Sequence, residues 1–327
     1  MSSPTITTFS NMSTFFPQYY DRLLGDNLRP NLYFYDLGEK RKLPANFGTS
    51  IKIPRLKKQN IVYTPGTEGA VTNSCPLSAQ FVSGTLVKFR GSYKHSDLVI
   101  MTALSDVVQL SLEDISYSLA LQMDTHIRAK LCGQFQALNG NTLSTGSTVS
   151  SGLKSTHYFK PRALVKAEII LENSDNPRYP GTNKYAMVIN PRLKWDIVGS
   201  TSSTYPGWID VVKYQASQRI WNGEIGEFFG FKVISTTNGK FAVATMSVAN
   251  TSTSVAMCLA PRAYYVTELS EMSARTFVKQ LGSAGAADPT NDYATVGAKC
   301  FFTAIPATYA ATEYRAVRLF STTSASF

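Results

Sequence analysis

The apolar positions of this chain fall into a few clear runs, and each predicts an element. Ile115, Leu119, Met123, Ile127 and Leu131 follow at four-residue steps and lay one stripe along a helix. Ser111 stands at the capping position, with Asp114 three residues on at capping-box spacing. Glu113 and Asp114 suit the positive end of the helix dipole, and Arg128 and Lys130 the negative end. Gly133 marks the stop. The predicted helix covers 111–132 and, at ~1.5 Å per residue, is on the order of 30 Å long.

Thr49 to Pro54 and Gln80 to Phe89 alternate polar and apolar, the pattern of half-buried strands, with Phe81, Leu86 and Phe89 on the expected buried face. Between them Pro65, Gly66, Gly69 and Pro76 make a turn-rich tip. Residues 46–95 therefore read as a long β-hairpin excursion. Two strands are marginal in water, so it needs a sheet or a neighbouring subunit to lie on.

Residues 139–157 are rich in Gly, Ser and Thr and read as a loop. An α/β pattern follows. Pro161 starts a helix, Tyr185 to Asn190 is a buried strand, and short helices are expected at 191–198 and 208–215. Strands at 231–236 and 240–246 flank Asn238-Gly239, the strongest short hairpin signal in the chain, and one more strand runs from Ala263 to Leu269. Phe277 to Ile305 reads as a strand, a small-residue loop with Gly282, Gly285 and Pro289, and a second strand apolar on both faces. Its Val296, Phe301, Phe302 and Ile305 call for burial.

Composition narrows the class. The 327 residues are 43% hydrophobic, which suits a globular chain with enough length for two domains' worth of core or one elaborate fold. No apolar run reaches the ~18 residues of a membrane helix, and residues 1–17 show no secretion signal, so no membrane contact is expected. Cys75, Cys132, Cys258 and Cys300 stand alone, without C-x-x-C spacing, and read as buried free thiols of a reducing compartment. The net charge is +10, and Lys40, Arg41, Lys42, Lys52, Arg55, Lys57 and Lys58 concentrate part of it. Pro44 and Pro54 break that run, so no groove-reading helix forms there. Docking on another subunit ranks above weak, non-specific contact with DNA.

Reactive chemistry is sparse. There is no phosphate-binding glycine loop, no H-E-x-x-H and no nucleophile elbow. His95, His126 and His157 fall in separate elements, and Glu224 and Glu227 read as solvated acids beside an Asn-Gly turn rather than a hydrolytic pair. No catalytic, cofactor-binding or metal-ligating residue is expected. A nucleic-acid-binding protein or an unrecognised hydrolase stays as the alternative.

Three stretches carry a specific resemblance: Gln18 to Asp36 (QYYDRLLGDNLRPNLYFYD), Gln218 to Gly230 (QRIWNGEIGEFFG) and Phe277 to Ile305 (FVKQLGSAGAADPTNDYATVGAKCFFTAI). In this order they resemble segments of the major capsid proteins of N-four-like tailed phages. That resemblance implies an α+β chain with the Hong Kong 97-type capsid fold. Its parts map to an N-terminal arm at 1–45, an extended β-hairpin loop at 46–95, and a peripheral domain at 96–159 and 276–327 with its spine helix at 111–132. The axial α/β domain maps to 160–275.

The resemblance also implies function and partners. Copies of the chain would form hexamers and pentamers of an icosahedral shell around double-stranded DNA, built in the bacterial host cytoplasm. The expected partners are the portal protein, a separate scaffolding protein and optional decoration proteins. Expected subunit-interface residues are Tyr19, Tyr20, Arg22, Tyr33 and Phe34 of the arm, and Lys52, Arg55, Lys57, Lys58, Phe81 and Lys88 of the loop. Expected core residues are the helix stripe with Val296 and Phe301.

Overall fold

The computed structural model describes residues 32–57, 68, 76–103, 106–132, 136–139, 142–144, 159, 161–194, 224–228, 230–239, 253–270, 274–283, 290–309 and 313–322. The helices that matter here are α1 (Phe34–Leu37), α2 (Asp97–Thr102), α3 (Val107–Cys132) and α4 (Pro161–Asn173). The long helix begins four residues earlier than its stripe suggests. Asp106 caps it, its carboxylate accepting from the Val108 and Gln109 amides at 3.0 and 3.2 Å. Ser111 is no cap. It sits buried within the helix, where its hydroxyl donates back to the Val107 carbonyl and meets His95 Nε2 at 2.7 Å.

One sheet is built from β1 (Glu39–Leu43), β4 (Val87–Ser96), β11 (Tyr264–Leu269), β12 (Ala274–Lys279) and β13 (Tyr293–Pro306). The long strand β13 is its axis. β4 runs antiparallel along one edge over Tyr293–Phe302, and β12 and β11 follow one another along the other edge. β1 closes the end by pairing parallel to β11.

A second sheet holds β5 (Gln136–Asn139), β6 (Thr142–Ser144), β7 (Tyr185–Ile189), β8 (Glu224–Phe228), β9 (Phe231–Ser235), β10 (Thr253–Leu259) and β14 (Ala316–Thr322), in the order β6-β5-β14-β10-β7-β9-β8. Among the described residues, the hairpin strands β2 (Ser50–Leu56) and β3 (Ala79–Thr85) pair with each other alone. The architecture is mixed α+β.

The core lies between the two sheets and α3. Met123, Ile127 and Leu131 pack with Cys300, Phe302 and Ala304 of β13 and with Val188, Val255 and Met257 of the second sheet. Nearer the start of the helix, Ile115 packs on Val296 and Ala298, and Leu119 bridges the two clusters. The far face of the second sheet is covered by Leu164, Ala167 and Leu171 of α4. Gly230 is required in that layer. It turns the chain from β8 into β9 at φ +71°, and a Cβ there would strike the Glu168 carboxylate.

The structure corrects several expectations. Phe301 is only half-buried, because β13 alternates and its even positions, Phe302 among them, face α3. Phe81 is 59% exposed, and the buried residues of its hairpin are Ile53 and Val82. Strand β6 occupies part of the expected loop 139–157. Residues 208–215 and 240–246 lie outside the described residues. The expected hairpin across Asn238-Gly239 therefore lies partly outside the described residues, and among these β9 pairs with β7 and β8.

Sheet membership also crosses the expected domain limits. β14 lies at 316–322 and yet pairs with β10 and β5 of the second sheet, while β11 lies within 160–275 and pairs with β13. β1, expected in the arm, is a strand of the first sheet.

Candidate assembly surfaces

Three regions hold the expected interface residues or an exposed charged face: the segment around α1, the hairpin and the outer face of the first sheet. At the arm base, Phe34 is fully buried, and the Tyr264 hydroxyl donates to its carbonyl. The expected interface role of Phe34 is therefore corrected to a core role, since its ring fills a gap in the main cluster. The adjoining Tyr35 amide donates to Asp124 Oδ1 at 3.1 Å. Tyr33 is half-buried. Tyr19, Tyr20 and Arg22 lie outside the described residues.

Asp124 is the buried charge of α3, with no exposed surface. Burial raises its carboxyl pKa, and hydrogen bonds from the Asn238 side chain and from the Tyr35 and Phe34 backbone pull the other way. Asn238 Nδ2 donates to Asp124 Oδ2 at 2.6 Å, and Arg128 donates to both the carbonyl and the side-chain oxygen of Asn238. The Thr237–Gly239 turn, the long helix and the arm base are thus held at one point.

The hairpin is rooted in its own subunit. Ile53 and Val82 pack on Tyr265, Ile305 and Ala307. A Cβ at Gly84 would approach Ile305 Cγ1 at 2.5 Å, so the strand needs glycine to lie this close. Arg55, expected to meet an acid of a neighbour, instead pairs with Glu313 of its own chain and lies 4.5 Å over the Tyr309 ring. Burial and the Tyr265 hydroxyl raise the Tyr309 pKa above the ordinary phenol range.

The opposite side of the hairpin is open. Leu56, Leu77 and Phe81 are 60%, 75% and 59% exposed, with the Lys52 ammonium 5.0 Å over the Phe81 ring. Lys57 is exposed, and Lys58 lies outside the described residues.

The third region is absent from the sequence expectations apart from Lys88. Residues opposite one another across a ladder share a face. Lys88, Arg90 and Lys94 of β4 therefore lie on the same side as Lys299 of β13 and as Arg275 and Lys279 of β12. This side faces away from α3. Three ammoniums stack over rings there: Lys88 on Phe301, Lys94 on Tyr293 and Lys299 on Phe277, at 5.7, 4.6 and 4.8 Å. The spacing Lys88-x-Arg90 in an acid-free strand was the available signal. Three strands distant in sequence hid the whole.

The described cysteines, Cys132, Cys258 and Cys300, are free. Burial pushes the Cys132 and Cys300 thiols up to about 11, away from nucleophilic reactivity. Among the described residues no three His, Cys, Asp or Glu side chains converge on a metal site, and no helix is long and apolar enough to cross a membrane.

No protein-family model matches the chain, and no curated protein matches it in sequence. Solved structures match it from end to end. The capsid of Ralstonia phage GP4 superposes with a TM-score of 0.69 at 12% identity, covering 99% of this chain and 100% of that one. The acidic stable capsid structure of Helicobacter pylori bacteriophage KHP30 gives 0.68 at 11% identity, covering 98% and 100%. The capsid asymmetric unit of cyanophage Pam1 gives 0.66 at 12% identity, covering all of both chains. The chain has the fold of these phage capsid chains.

Proposed function

We propose that this chain is a major capsid protein, a structural and non-catalytic subunit whose copies assemble into the icosahedral shell around a phage's double-stranded DNA. The observation that carries the reading is the end-to-end likeness to the GP4 capsid chain, with 99% and 100% of the two chains covered. A grafted or shared subdomain would match over part of one chain only.

The finer reading is that of the Hong Kong 97-type fold and, from the three sequence segments, of N-four-like tailed phages. In it α3 is the spine helix, β2 and β3 begin the extended loop, and the first and second sheets belong to the peripheral and axial domains. The arm is the stretch expected at 1–45, and Tyr19, Tyr20 and Arg22 are its residues that would meet a neighbour. Lys52, Lys57, Lys58 and Phe81 contact the adjacent subunit in hexamers and pentamers. The portal, a separate scaffolding protein and decoration proteins complete the particle, which is assembled in the host cytoplasm. Weak, non-specific contact with packaged DNA is part of the same reading.

Support comes from the exposed apolar side of a hairpin rooted on its own subunit, a form that gains buried area only against another chain. Closed rings multiply each such contact. Sedimentation of purified chain over a concentration series tests the reading. Capsomer-sized or larger species are expected, and a monomer that persists with the phage's other head proteins present rejects it.

A further inference from the structure

Strands β4, β12 and β13 contain no acidic residue, and every Lys and Arg on them points to one face. Like charges gathered this closely repel one another and favour an anionic occupant. Beside them β12 ends the sheet, with β13 its one strand neighbour among the described residues. All six residues of β12 are exposed, including Phe277 at 41% and Val278 at 44%.

We infer that this edge and its cationic face take up an extended, acidic segment of a different protein, added as a strand beside β12. On the shell reading above, it is the place where a second protein is held on the subunit. Three features select the occupant. An open strand edge offers carbonyls as well as amides, and a polypeptide strand satisfies both, whereas phosphates accept only from the amides. Alternate side chains of the added strand would fall on the face of Phe277 and Lys279, where carboxylates meet lysine. The same edge of another copy is a poor occupant, since it presents the same cationic side chains and like-charged edges repel each other.

The experiment uses the full chain and a fluorescent hexapeptide of alternating glutamate and valine, with a lysine-valine peptide and a short duplex DNA as comparisons at physiological salt. Expected are binding of the acidic peptide, no binding of the basic one, and slowed hydrogen exchange at Ala274 to Lys279. Reversing Lys94 and Lys279 together to Glu should weaken the acidic peptide about 10-fold or more. Lys279→Ser replaces the double reversal if that variant melts early. No binding of the acidic peptide, or binding without protection of β12, overturns the inference. Duplex DNA that binds as tightly and loses as much in the variant also overturns it, by making the face a phosphate surface. Sedimentation of the same samples separates the two proposals. Shells without peptide binding sink this inference alone, and peptide binding by a chain that never assembles sinks the shell reading alone.

Discussion

Asp124 accepts a 2.6 Å hydrogen bond from the side-chain amide of Asn238, 114 residues further along the chain. The same carboxylate accepts from the Tyr35 amide at 3.1 Å. One fully buried group on the long helix thus satisfies donors from the arm base and from the turn after β9. Asp124→Ala leaves those donors unpaired in a dry site and should cost about 2–3 kcal/mol in urea unfolding. A variant that unfolds at the wild-type midpoint would show that the network carries no stability.

The stripe of α3 makes a graded prediction. Ile127 is fully buried between the sheets, and Ile127→Ala should cost about 3 kcal/mol through the cavity it leaves. Leu119 is half-buried but touches both clusters, so Leu119→Asp should cost at least as much by placing a charge in an apolar contact. Melting temperatures that rank the two with wild type would contradict the packing described.

His126 supplies a pH prediction. Its ring meets Phe89 and Phe302 edge-on, with centroids at 5.1 and 5.3 Å, and its buried Nε2 has no hydrogen-bond partner. Burial first, then the nearby Lys130 charge, hold its pKa below the ordinary histidine value. The neutral ring is the folded form. Its stabilising contribution is present above about pH 6.5, the unfolded value, and is lost as pH falls through the lower folded value. The melting temperature should therefore drop on mild acidification by less in His126→Phe than in wild type. Equal drops would exclude His126 as a source.

On the proposed function, variants in the hairpin should separate folding from assembly. Arg55→Ala breaks the pair with Glu313 and the stack on Tyr309, so it should lower subunit stability by about 1 kcal/mol. Phe81→Ser alters an exposed ring and should leave the melting temperature within about a degree while impairing assembly. Assembly unaffected by Phe81→Ser would remove the hairpin's outer side from the interface.

Strong local periods were legible in the sequence, and long-range choices were not. The α3 stripe, the α4 start at Pro161 and the β12–β13 pair follow from spacing alone. The helix start was misplaced because Ser111 and Asp114 imitate a capping box, while Asp106 caps one turn earlier. The hairpin face was misread because Gln80 to Phe89 spans two strands that break at Leu86, so its alternation is not one period. Phe34 looked like an exposed arm residue because nothing local says that a gap waits for it between α3 and β11. β14 and β1 joined unexpected sheets for the same reason, since partner choice is made by tertiary packing. The cationic face needed three strands in register before it existed.

The central claim is that this subunit builds a closed shell, and electron microscopy of the chain expressed with the phage's other head proteins tests it most directly. The account predicts icosahedral shells in which the chain is the main component, with its hairpin lying over a neighbouring copy. Fields of unassembled protein, or shells that form without this chain, would contradict it.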